Sequence, residues 1–249
     1  MERPSGSQTD ALPEGEEKVR AVRQMFDAIA PRYDLVNRLM TFRLDVRWRR
    51  IAVRSLGLSP RSLVADLASG TGDLCVELAR QHLRPLSVDL SFGMLHADRS
   101  GAPRMQADIL RLPFPDGAVD GATCGFALRN LVELGAFFDE LARVLRPGGR
   151  IALLDVATPP NPVLRWGHGW YFGKVVPLIG GLLSDPAAYR YLPRSVAYLP
   201  APAEMLDRLR QAGFTTVQRH LLSGGITQLI TATRLSPAGS PPLPFPGRR

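Results

Sequence analysis

The stretch Asp66-Leu67-Ala68-Ser69-Gly70-Thr71-Gly72-Asp73 joins a short apolar run, residues 62–68, to a helical one, residues 73–82. Glycines at a strand-to-helix turn let a ligand approach the backbone, and the N-terminus of the helix favours electron-rich groups. Outward from this turn the alternation continues. Strand-like runs at 85–90, 104–109, 119–126 and 150–157 are interleaved with helical segments at 91–99 and 132–146, the last ended by Pro147-Gly148-Gly149. Strands that alternate with helices predict an α/β fold with a parallel, doubly wound sheet. A helix at 202–213 precedes two strand-like runs, 215–223 and 226–234, joined at Gly224-Gly225. They read as a terminal antiparallel hairpin and complete a seven-stranded sheet.

The rest of the chain flanks this core. Residues 1–15 read as a disordered leader and the proline-rich residues 235–249 as a disordered tail, leaving one domain over 16–234. Within it, residues 16–57 form an N-terminal helical lid. Val19, Val22, Met25, Phe26 and Ile29 recur at helical spacing until Pro31, and a second helix runs from about Arg43 to Leu56. Residues 158–200, rich in Pro, Gly and aromatics, read as an insertion beside the sheet.

Composition narrows the function. The chain has 249 residues, 45% of them hydrophobic, and needs no staple to bury a core. Two cysteines, Cys75 and Cys124, exclude a disulfide framework, and four scattered histidines argue against a metal site. Both cysteines read as core residues and His168 as a surface residue. The net charge of +8 comes almost wholly from arginine, since Lys18 and Lys174 are the two lysines, and it reads as compositional rather than as a nucleic-acid footprint. Met1–Glu17 has no apolar signal region, and no apolar run reaches 18 residues, so the expected location is cytoplasmic.

Three carboxylates fall near strand ends on one rim: Asp66, Asp89 and Asp108. An acidic residue after the second strand accepts hydrogen bonds from ribose hydroxyls. Cys75 stands where a dinucleotide fingerprint needs its third glycine, and no Gly-Lys-Ser/Thr is present, so neither a dinucleotide loop nor a P-loop fits. The loop instead resembles motif I of class I S-adenosylmethionine (AdoMet) methyltransferases. That resemblance makes Asp66, Gly70, Thr71, Gly72, Asp89, Asp108, Ile109 and Gly125 candidate AdoMet-binding residues, with Asp108 and Ile109 at the adenine. Gly125 and Phe126 would mark the place where sulfonium and acceptor meet.

Further segments narrow the family. Phe26-Asp27-Ala28-Ile29-Ala30-Pro31-Arg32-Tyr33-Asp34-Leu35-Val36-Asn37, Trp48-Arg49-Arg50, Leu112-Pro113-Phe114-Pro115-Asp116, Phe126-Ala127-Leu128-Arg129-Asn130, Arg143–Gly149 and Tyr189-Arg190-Tyr191-Leu192-Pro193-Arg194-Ser195 resemble segments of the ubiquinone/menaquinone-biosynthesis C-methyltransferases. The resemblance covers about residues 18–234. It departs at Asp45, where the family usually has His; at Ser69, Gly125 and Ala127; and at Asp155-Val156-Ala157, where Glu-Phe-Ser is usual.

The resemblance implies a Rossmann-like class I methyltransferase that moves a methyl from AdoMet to a ring carbon of a prenylated quinol, demethylmenaquinol in the menaquinone pathway. In that scheme Arg129 stabilises the oxyanion, and Asp155 serves as base or as partner of Arg129. Tyr33 covers AdoMet from the lid, and Asn130, Tyr189 and Tyr191 contact the quinol; Asn130 equally suits an N-cap for the helix after it. Trp166, Trp170, Tyr171 and Phe172 among basic residues suit transient contact with a membrane surface, making the protein peripheral there. A homodimer, a soluble phenolic acceptor and a non-catalytic AdoMet-fold subunit of a quinone-synthesis complex stay open. A nucleic-acid substrate is disfavoured, because Cys124-Gly125-Phe126-Ala127 replaces the Asn/Asp-Pro-Pro-aromatic motif.

Overall fold

The computed structural model describes residues 15–176, 178 and 195–236. Their order is α1 (Gly15–Ile29), α2 (Tyr33–Met40), α3 (Leu44–Ser55), β1 (Leu63–Leu67), α4 (Asp73–Arg80), β2 (Arg84–Asp89), α5 (Phe92–Ala97), β3 (Arg104–Gln106), β4 (Val119–Gly125), α6 (Leu134–Val144), β5 (Leu145–Val156), α7 (Pro162–Trp170), α8 (Pro202–Gln211), β6 (Phe214–Leu222) and β7 (Thr227–Arg234). The sheet runs β3-β2-β1-β4-β5-β7-β6. β1 to β5 pair in parallel, and β7 lies antiparallel to both β5 and β6. This is the seven-stranded, doubly wound sheet with an antiparallel terminal pair that the sequence predicts.

Central strands bury both faces. Val64, Ala65, Asp66 and Leu67 of β1 are inaccessible. One face packs against α6 and α8 through Phe137, Phe138, Leu141, Met205 and Leu209. The other packs against α3 and α4 through Trp48, Ala52, Leu56, Leu74 and Leu78. Trp48 also donates its indole N–H to Ser223 Oγ at 2.9 Å, tying α3 to the turn before β7. A third apolar cluster, with Ile29, Val36, Met40, Met94 and Val176, fastens the N-terminal helices over the carboxyl ends of the strands. The strand order reverses between β1 and β4, where α/β sheets open a crevice for ligands.

Local readings change in five places. α2 is a separate helix where the sequence showed no element; Val36 and Met40, four apart, bury one face. β3 stops at Gln106, so Asp108 lies in the following loop, its carboxylate accepting the Leu110 N–H at 2.9 Å. α6 ends at Val144, and Pro147-Gly148-Gly149 falls within β5, across a register shift against β4. Gly149 is required there, because a β-carbon would stand 2.8 Å from the Arg146 carbonyl oxygen. The last hairpin turns through Ser223–Gly225, all three at positive φ, rather than through the two glycines alone. The start of the 158–200 insertion is helical: Asn161 caps α7 by accepting the Val163 N–H at 2.9 Å, and a π-turn over Tyr171–Val175 continues it.

Candidate active site

Two cavities meet over the carboxyl ends of the strands, with Tyr33 and Phe126 in the walls of both. The first, about 870 Å³, is bounded by Gly70, Asp89, Asp108, Ile109, Gly125 and Asn130, and roofed by Val19, Val22 and Phe26 of α1. The second, about 1020 Å³, lies under α2, α3 and α7.

In the first cavity Asp89 closes β2 and is nearly buried. One of its oxygens accepts the Gly70 N–H at 2.8 Å and the other the Ser91 N–H at 2.8 Å. The Leu90 N–H also bonds to this carboxylate, and since a carboxylate has about four lone-pair positions, about one remains for a ligand's hydroxyl. Burial raises its pKa, opposed by these backbone donors. Ala68 and Phe126, with φ of 51° and 61°, hold left-handed backbone at this crevice, a strained state for a bulky residue such as Phe126.

The lid is tied down by polar contacts. Asp27 Oδ1 accepts the Ser91 hydroxyl at 2.5 Å and the Gly93 N–H at 2.9 Å. Arg38 binds Asp73 at 2.9 Å, and the Thr71 hydroxyl donates to Asp34. Lys18 is buried and donates to the carbonyls of Arg129 and Leu131 at 3.2 and 3.1 Å.

Three predicted AdoMet residues stand behind the first cavity rather than in its wall. Asp66 lies beneath the loop, accepting the Thr123 hydroxyl at 2.7 Å and the Cys75 thiol at 3.5 Å. Burial pushes its pKa to about 7. Thr71 faces α2 through Asp34. Gly72 turns the chain at φ 84°, where a β-carbon would collide with the Asp98 carboxylate.

In the second cavity Arg129 is 5% exposed. Its guanidinium pairs with Asp155, and its Nε donates to Ser195 Oγ at 3.1 Å. Asp155 is fully enclosed and also accepts the Val156 N–H at 2.7 Å. Asp155 thus lies against Arg129 as its ion-pair partner. Asn130 lines the first cavity, and the N-cap alternative for it falls away, because no side chain caps α6. Tyr189 and Tyr191 lie outside the described residues. Sequence reasoning passed over Arg49, which is buried, pairs with Asp45 at 2.5 Å and Asp73 at 3.5 Å, and stands 5.5 Å from the Phe126 ring centre. Its only sequence signal was the Trp48-Arg49-Arg50 segment. His168, expected at the surface, is half-exposed on α7 and borders the second cavity.

Residues 14–234 match the ubiE/COQ5 methyltransferase family. The chain belongs to that family. It is 41% identical over 227 residues to the ubiquinone/menaquinone biosynthesis C-methyltransferase UbiE of Syntrophotalea carbinolica, covering 86% of this chain and 94% of the relative. It is 38% identical to the demethylmenaquinone methyltransferase of Roseiflexus castenholzii, covering 91% and 98%. Among solved structures, the methyltransferase complexed with the Trm112 activator of Haloferax volcanii superposes with a TM-score of 0.61 at 18% identity, covering 85% of this chain and 98% of that one. That likeness shows the fold. This family member is thus an AdoMet-dependent C-methyltransferase, and AdoMet is its co-substrate.

Proposed function

We propose that this enzyme methylates a ring carbon of a prenylated hydroquinone, and that demethylmenaquinol is the acceptor. The names of the relatives favour that acceptor. The observation that carries the reading is the pair of cavities joined at Tyr33 and Phe126, one beside the glycine loop and the other mostly apolar with a buried arginine in its wall.

The first cavity fits AdoMet. Asp89 keeps lone-pair capacity for a ribose hydroxyl, Ile109 offers an apolar wall and Asp108 an exposed carboxylate for adenine, and Gly70 leaves open space beside them. Asp66, beneath the loop, favours a cationic amino group nearby. Bound AdoMet supplies an electrophilic methyl.

The protein's own residues do the rest. Arg129, held by Asp155 and Ser195, places a fixed positive charge where a hydroxyl gains phenolate character. Phe126 and Tyr33, shared by both cavities, set the approach of ring to methyl, and such positioning can supply about 7–11 kcal/mol of the barrier. No helix among the described residues is long and apolar enough to cross a membrane. A lipid acceptor must then be collected from a surface, and Phe42, 76% exposed at the second cavity, and Trp166, 76% exposed on α7, suit that contact.

The test is transfer of an isotopically labelled methyl from AdoMet to reduced demethylmenaquinone in detergent, read by mass spectrometry of the extracted lipid. Label on the ring is expected with the reduced acceptor and none with the oxidised one. AdoMet binding without lipid labelling would move the acceptor to another phenol.

A further inference from the structure

We propose that Lys18 is a positioning residue: it makes the placement of Arg129 depend on the lid being seated over the co-substrate, so that the two cavities bind their ligands cooperatively. This rests on the acceptor reading above. Along α1, Lys18 and Ile29 are the buried residues. The helix is thus fastened near its two ends, and the stretch between, with Val19, Val22 and Phe26, roofs the first cavity. Ile29 is held by apolar packing. Lys18 is a cation, and burying a cation is costly unless its donors are met.

Three segments meet at that ammonium. The turn after β4, Leu128–Asn130, is a 3-10 helix whose own hydrogen bonds use the Ala127 and Leu128 carbonyls. Lys18 Nζ donates to two others at this turn, those of Arg129 and Leu131, at 3.2 and 3.1 Å. Lysines commonly satisfy the last carbonyls of a helical turn. Nζ also stands 3.5 Å from the centre of the Tyr198 ring, in the turn Val196–Tyr198, and a ring face attracts a cation. Ser195, just before that turn, accepts from Arg129 Nε at 3.1 Å, and Val196 lines the second cavity. Arg129 is therefore held from two sides. Asp155, on the sheet, takes its N–H and its guanidinium, and Lys18, on the lid, takes its carbonyl.

This arrangement links the two ligands. AdoMet gains the apolar contacts of Val19, Val22 and Phe26 only when α1 is seated, so it favours the seated lid. A seated lid brings Nζ onto the Arg129 carbonyl and the Tyr198 ring, which fixes two turns that wall the second cavity. The acceptor then meets an arginine already in place. Such coupling is reciprocal, each ligand tightening the other by the same factor.

The experiment measures, by titration calorimetry on the full chain in detergent without oxygen, the binding of demethylmenaquinol with and without S-adenosylhomocysteine. In the wild type, S-adenosylhomocysteine should tighten the quinol about tenfold, and the quinol should tighten S-adenosylhomocysteine equally. Lys18→Met keeps the reach of the side chain and removes the ammonium. Its coupling factor should fall to about one, and its kcat should drop about ten- to a hundredfold, as for a displaced positioning contact. Tyr198→Leu removes one of the three contacts and should lower the factor without abolishing it. Lys18→Arg keeps a charged donor and should retain part of it. A lysine that only stabilised the fold would weaken both ligands in Lys18→Met and leave the factor unchanged, and that result overturns the proposal. So does a wild type with no coupling, a result that needs no variant to fold. A wild type that does not bind demethylmenaquinol overturns the acceptor reading and this inference with it, whereas a coupling that Lys18→Met preserves overturns the role of Lys18 alone.

Discussion

Asp66 and Arg129 are each defined by what encloses them. Asp66 has an ordinary pKa of 3.8 that burial moves to about 7. The folded state thus holds this proton more tightly than the unfolded one. The group's contribution to stability is fully present below about pH 4 and is lost as pH rises through 7. Asp66→Asn should lack this dependence: between pH 5 and 8 its Tm should change less than that of the wild type, by differential scanning calorimetry. An identical slope would contradict the burial argument. Arg129 differs in that its charge is already paired. Arg129→Lys keeps a cation but loses the fork that engages both Asp155 and Ser195. We expect kcat to fall about 10²–10³-fold, as when an oxyanion donor is lost, while calorimetry finds AdoMet affinity unchanged. Of these roles, the Arg129–Asp155 pairing was legible from sequence. The enclosure of Asp66 was not, because a loop motif names the residue but not the direction in which its side chain turns.

At the level of helices and strands, legibility followed burial. The β1–α4 turn, the strand alternation and the terminal antiparallel pair came through because each has one apolar pattern and one environment. α2 did not. It begins directly after Pro31 and Arg32, and exposed Leu35 and Leu39 mix with buried Val36 and Met40, blurring the period. The lid makes its own prediction. Asp27 is a single carboxylate oxygen that holds both the Ser91 hydroxyl and the Gly93 N–H on α5 and its cap. Asp27→Ala should loosen α1 over the first cavity and weaken AdoMet binding by roughly ten- to a hundredfold, from the about 1.5–3 kcal/mol of a hydrogen bond to a charged group. Titration calorimetry checks this, and an unchanged Kd would mean that α1 does not roof the bound co-substrate.

The molecule as a whole joins a fold shared by many methyltransferases to a set of exposed apolar residues beside the second cavity. Leu35, Leu39 and Phe42 project from α2 and the turn after it, and Trp166 and Trp170 from α7. Both helices also wall the second cavity. Replacing Phe42 and Trp166 together by Ser should reduce sedimentation with anionic vesicles and raise KM for a long-chain prenylated acceptor. It should leave kcat for a short-chain acceptor unchanged, because neither ring is placed at the reacting atoms. Equal KM values for the two chain lengths would remove the surface role. We propose that the two cavities are halves of one reaction site meeting at Phe126. The direct measurement is a crystal structure of the full chain with S-adenosylhomocysteine and demethylmenaquinol. Adenosine is expected between Asp89 and Ile109 and the quinol ring beside Phe126 and Arg129, with an unmethylated ring carbon facing the sulfur. A ring bound elsewhere, or one turned with that carbon away from the sulfur, would contradict it.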